Sequence, residues 1–111
     1  VPHLRIKFSM RVEFIDFKPP IKGKSLDISP KGMLVAVAHD FVEGQNVASL
    51  AYPDEQGGPM RLSGRVARLL KSEDPESDVE GVAIEMLNSE GRGAVCDFFF
   101  ALLDKAISRM D

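Results

Sequence analysis

The residues best suited to chemistry in this 111-residue sequence lie together in Asp27-Ile28-Ser29-Pro30-Lys31-Gly32. On a strand, residues two apart point to the same side, so Asp27 and Ser29 project together while Ile28 turns into the core. A carboxylate only accepts hydrogen bonds, whereas a hydroxyl both donates and accepts. Together they suit a face with adjacent N–H donors, such as the Watson–Crick edge of guanine. Gly32 permits positive φ and a close backbone approach just past the proline. The same six residues also fit an ordinary Asx or Ser turn between two strands. Twenty-one residues separate Arg5 from Asp27, and Lys7 and Lys31 are further cations near these two positions.

The net charge of −3 argues against general DNA or RNA binding. It hides an asymmetry: residues 1–31 hold seven bases and three acids, a balance of +4, and residues 32–111 hold seven bases and fourteen acids, a balance of −7. The basic stretch reads either as a solvated face or as a local positive field for a small anion.

Other chemistries lack their residues. His3 and His39 are far apart, and neither stands at metal-ligand spacing with Cys96 or a carboxylate. No Ser/His/Asp order, glycine-rich phosphate loop or paired carboxylate motif stands out, so the expectation is a binding module and not an enzyme, with no metal and no cofactor. Cys96 is the single cysteine and sits in the most apolar part of the chain. It reads as a buried, inert thiol, and its lack of a partner suggests the cytoplasm. No apolar run approaches the roughly 20 residues of a membrane span, so no membrane insertion is expected.

The elements that must carry these residues are short strands. Phe8, Met10, Val12 and Phe14 share one face at period two, and Pro19-Pro20 ends that strand. Further strands are expected at Lys24–Ser29, Met33–Val37, Val47–Tyr52, Met60–Leu70 (with a bulge or bend at Gly64) and through Val82, Ile84 and Met86. Asn88 or Ser89 caps a helix whose apolar stripe runs through Val95, Phe98, Phe99, Leu102, Ala106 and Met110 and leaves Phe100 off it. The fold class is therefore all-β with one helix: a six-stranded antiparallel barrel over 8–86, a C-terminal helix over 88–110 and a mobile arm over 1–7, in one domain spanning 1–111. Beginning at Val1 and not at Met, the chain reads as a domain cut from a longer protein.

The arginine on an N-terminal arm, the basic first strand, the Asp-x-Ser-x-x-Gly turn, the barrel and the terminal helix together resemble the PilZ family. Gly81-Val-Ala-Ile-Glu-Met86 before the helix is similar to that family's ending. The resemblance implies a bacterial receptor for cyclic di-GMP, with a signature of Arg-x-x-x-Arg followed downstream by Asp/Asn-x-Ser-x-x-Gly. Asp27, Ser29 and Gly32 match the second motif, and Arg5 matches the second arginine of the first. The first arginine falls at Val1; taking Arg5 as the first instead requires an arginine where Ser9 stands. The resemblance thus implies ligand contacts from Arg5, Asp27, Ser29 and Gly32, with Lys7 and Lys31 as auxiliaries. It further implies relay to a neighbouring domain or partner protein by ordering of the arm. A PilZ-like adaptor that acts through protein contacts without the nucleotide is the alternative.

Overall fold

A computed structural model of the chain describes residues 5–39, 41–53, 58–70, 81–87 and 89–108. Two short strands lie end to end near the N-terminus: β1 (Ile6–Lys7), ahead of the period-two run Phe8–Phe14, and β2 (Arg11–Phe14), the second half of that run. Both lie on one edge of the long strand β3 (Ile21–Ser29). The expected strand over Phe8–Phe14 is shortened to its second half because three residues, 8–10, face only Ser25 and Leu26. Ser25, wholly buried, fills that gap. Its Oγ accepts from Met10 N at 2.8 Å and donates to the Phe8 carbonyl, and its own N–H donates to the Met10 carbonyl at 2.9 Å.

The other edge of β3 pairs with β4 (Gly32–Ala36), reached through the two-residue turn Pro30-Lys31. Strands β5 (Asn46–Tyr52), β6 (Met60–Leu70) and β7 (Gly81–Met86) complete the wall. Pairing runs β3–β2–β5–β6–β7–β4 and returns to β3, always antiparallel, so six strands close into a barrel. Closure pairs both edges of each strand, so the wall has no continuous open edge to cover. Alternation puts Val12, Phe14, Ile28, Val35, Leu62, Val66, Ile84 and Met86 inside.

Two bulges change which side chains face out. In β6 the extra residue is Ala67, between Val66 and Arg68, not Gly64 as the sequence suggests. Gly64 serves close packing instead: a Cβ there would lie 2.6 Å from Cγ2 of Ile84. In β3 the extra residue is Leu26, between Ser25 and Asp27. Ahead of that bulge Ser25 points inward; beyond it Ile28 does, which leaves Leu26 exposed and turns Asp27 and Ser29 outward.

The helix α1 (Ser89–Ser108) lies against the barrel through buried Val95 and Phe99 and partly buried Phe98, Leu102 and Leu103. Burying a side chain such as Phe99 is worth about 1.5–3 kcal/mol, enough for a few such residues to hold the helix in place. The side chains of Ala106 and Met110, expected on the same stripe, lie outside the described residues. Cys96 is half-buried and not fully buried, because it stands on the flank of the stripe that Val95 and Phe99 centre. Among the described residues no helix is long and apolar enough to cross a membrane.

Candidate functional site

The Leu26 bulge places Asp27 and Ser29 on the outer wall, where β1 runs alongside. Lys7 is opposite Asp27 in the β1–β3 register, and Arg5 stands just ahead of Ile6. From there one guanidinium nitrogen of Arg5 reaches a carboxylate oxygen of Asp27 at 3.2 Å. The arginine side chain is 44% exposed and the carboxylate 18%, so the pair sits at a lip, open on the arginine side. An ion pair this exposed contributes little to stability, about 1 kcal/mol or less. Of the segment expected as an arm, 1–7, residues 6 and 7 pair with β3, and 1–4 lie outside the described residues.

Ser29 and Gly32 face each other across the β3–β4 turn, and the Ser29 hydroxyl makes only a long contact, 3.4 Å, to the Gly32 carbonyl. That hydroxyl is therefore cheap to redirect toward another partner. The Lys31 carbonyl accepts from Met86 N at 3.0 Å, which ties the turn to the end of β7. Gly32 fills one of the two roles its sequence context suggests, and not the other. Among the described residues only Gly44 has a positive φ, +87°. Gly32 is needed for closeness: a Cβ there would fall 1.9 Å from the Ile84 carbonyl oxygen. The second half of the expectation, close backbone approach, is what the geometry requires.

Beyond Gly32 the outer wall is lined by small residues. Gly32 pairs with Glu85, Leu34 with Ala83, and the Ala67 bulge lies next on β6. The result is an open cleft of about 270 Å³ lined by Arg5, Ser29, Lys31 and Gly32, with Glu85 across from Gly32 and Ala67 one strand beyond. A carboxylate oxygen of Glu85 lies 3.5 Å from a guanidinium nitrogen of Arg65. Four of the six residues singled out in the sequence (Arg5, Ser29, Lys31 and Gly32) line this cleft, Asp27 borders it through Arg5, and Lys7 is exposed beside Asp27. Glu85, Ala83 and Ala67 also line it and were not singled out. The outward parity of Ala83 and Glu85 was readable from the alternation Val82, Ile84, Met86; the Ala67 bulge had no local signal.

Chemically, the cleft sets two cations, Arg5 and Lys31, beside acceptors at Asp27, Ser29 and Glu85. A guanidinium and an ammonium suit phosphate oxygens, and a carboxylate beside a hydroxyl suits a heterocycle edge with N–H donors. Among the described residues, no three His, Cys, Asp or Glu side chains gather as a metal site would need.

The chain belongs to the PilZ domain family, whose model matches residues 2–101. No curated protein sequence matches the chain. Among solved structures it is similar to the PilZ domain of YcgR from Escherichia coli with c-di-GMP, with a TM-score of 0.73 and 16% identity over 100% of this chain and 97% of that one. It is also similar to the inhibitor of motility MotI/DgrA of Bacillus subtilis, with a TM-score of 0.70 and 20% identity over 95% of this chain. A third is the PilZ domain of CeSA from a cellulose-synthesizing bacterium, with a TM-score of 0.60 and 20% identity over 89% of this chain and 97% of that one. The chain spans about half of the Bacillus protein, 52% of its length. At these identities the likeness is one of fold: the six-stranded barrel with one helix.

Proposed function

We propose that this domain is a receptor module for cyclic di-GMP, held in the cytoplasm, that binds its ligand without transforming it. The observation that carries the reading is the Arg5–Asp27 pair, 3.2 Å apart at the lip of a cleft that Ser29, Lys31 and Gly32 continue. The pair sets a phosphate-binding group against a guanine-reading group. In the proposed complex Arg5 takes a ligand phosphate or guanine edge, Asp27 accepts from guanine N–H groups, and Ser29 adds a donor and an acceptor. The backbone at Gly32 lets the ligand lie close, and Lys7 and Lys31 supply further positive charge. Family membership and the c-di-GMP named with the YcgR structures support the choice of ligand. Binding draws the residues ahead of β1 onto the cleft, and that ordering is the signal passed to a neighbouring domain or partner.

Val1 stands where the family's first arginine belongs, which favours a second reading: a PilZ adaptor that makes protein contacts and holds no nucleotide. One charge-assisted contact is worth about 1.5–3 kcal/mol, so losing one guanidinium costs roughly ten- to hundredfold in affinity. Calorimetry with Arg5→Ala and Asp27→Ala separates the two readings. The receptor reading expects Arg5→Ala to abolish measurable binding and Asp27→Ala to weaken it. Heats identical to those of the unmodified chain in both variants would remove this cleft as the site.

A further inference from the structure

The apolar arc of α1 is wider than its seat on the barrel requires. Val95 and Phe99 are buried in that seat, and Leu102 is partly buried beside them. One residue further round lies a second series, Cys96, Phe100, Leu103 and Ile107, recurring at steps of four, three and four. Cys96 and Leu103 are half-buried at the barrel side of this series, while Phe100 is 49% and Ile107 56% exposed. Alternating steps of three and four are the spacing by which one helix takes another along a seam, with knobs set into holes. A single exposed Leu or Ile needs no explanation; a Phe and an Ile two turns apart on one line do.

The flank of the seam says what chemistry the occupant carries. Asp97 and Asp104, both exposed, stand next to Phe100 and Leu103 on the solvent side, in the positions that make ion pairs across a two-helix contact. On the other flank is the barrel. Lys105, two residues before Ile107, points to the opposite side of the helix. A second copy of this seam would therefore bring no described lysine to the acidic row. In antiparallel order it would set aspartate against aspartate.

We infer that the outward seam of α1, Phe100–Leu103–Ile107 edged by Asp97 and Asp104, is a docking surface for an amphipathic helix of a partner protein whose apolar seam is flanked by Lys or Arg. This surface is separate from the Arg5–Asp27 cleft and does not depend on what that cleft binds.

The test uses the intact 111-residue chain and two labelled synthetic helices of three heptads. Both carry Leu and Ile along the seam, one with Lys and Arg at the flanking positions and the other with Glu. Fluorescence anisotropy should show the basic helix binding at least tenfold more tightly than the acidic one. Phe100→Asp should lose that binding although it makes the surface more acidic, an outcome that charge attraction alone would reverse. Asp97→Lys with Asp104→Lys should turn the preference toward the acidic helix. These residues are exposed, and an unchanged thermal midpoint checks that each variant folds. Equal binding of both helices, or binding indifferent to Phe100→Asp, overturns the inference. So does a sedimentation profile in which the chain dimerises and Phe100→Asp makes it monomeric, since the occupant would then be a second copy.

Discussion

The ring of Phe8 meets the ring of Phe98 edge-on, with centroids 5.3 Å apart and planes at 71°. Phe8 lies three residues beyond Arg5, in the gap between β1 and β2, and Phe98 is on the barrel side of α1. This contact links the lip of the cleft to the helix through one pair of side chains. Removing the ring in Phe98→Ala should cost about 1–3 kcal/mol, less than a fully buried phenylalanine because the residue is only partly buried. The urea midpoint reads that loss. If the contact also relays ligand binding, amide exchange in α1 should slow on adding cyclic di-GMP to the native chain and respond less in Phe98→Ala. An equal response in both would show that the pair is packing alone.

Ser25 is a buried polar residue whose value lies in the groups it satisfies. Ser25→Ala deletes the partner of Met10 N–H and of the Phe8 carbonyl. The apolar replacement should lower stability by about 1–3 kcal/mol, because two backbone groups lose their bonds inside the protein. A denaturation midpoint at or above that of the native chain would contradict this.

The glycines divide by the space around them. Gly32→Ala drives a methyl into the Ile84 carbonyl and should cost about 3 kcal/mol or more, or prevent folding. Gly44→Ala meets no neighbour but holds φ at +87°, so about 1–2 kcal/mol is expected. Gly58→Ala, with open space around it, should leave stability unchanged. Thermal or chemical denaturation of the three variants should give that order.

Alternation carried most of the wall: Val12, Phe14, Val66, Ile84 and Met86 are inside as their period-two spacing implies. The departures occur where pairing, not local pattern, decides. In Lys24–Ser29 the apolar spacing of Leu26 and Ile28 suggests that both point inward, yet Leu26 is outside and Ser25 inside. Only the register against β1, β2 and β4 reveals the bulge, and register is a relation between distant segments. The cleft was legible where a motif marks it, at Arg5, Ser29 and Gly32, with Asp27 at its border through Arg5. It was silent at Ala67, and Ala83 was legible only as an outward-facing residue; both matter because the sheet brings their small side chains into the wall of the cleft that Gly32 also lines.

In the proposed complex the two negative charges of cyclic di-GMP would meet Arg5 and Lys31, both of which line the cleft. Affinity should therefore fall as salt is raised from about 0.05 to 0.5 M, since screening shortens the reach of exposed charges. Affinity that is flat across this range would mean that contacts other than these cations dominate.

Direct titration calorimetry of the native chain and of Val1→Arg with cyclic di-GMP tests the central claim. The receptor account predicts saturable heat with the native chain. It also predicts about tenfold or greater tightening in Val1→Arg, the worth of one restored guanidinium contact. No heat from the native chain at excess ligand, and none from Val1→Arg, would contradict it and leave the domain an adaptor.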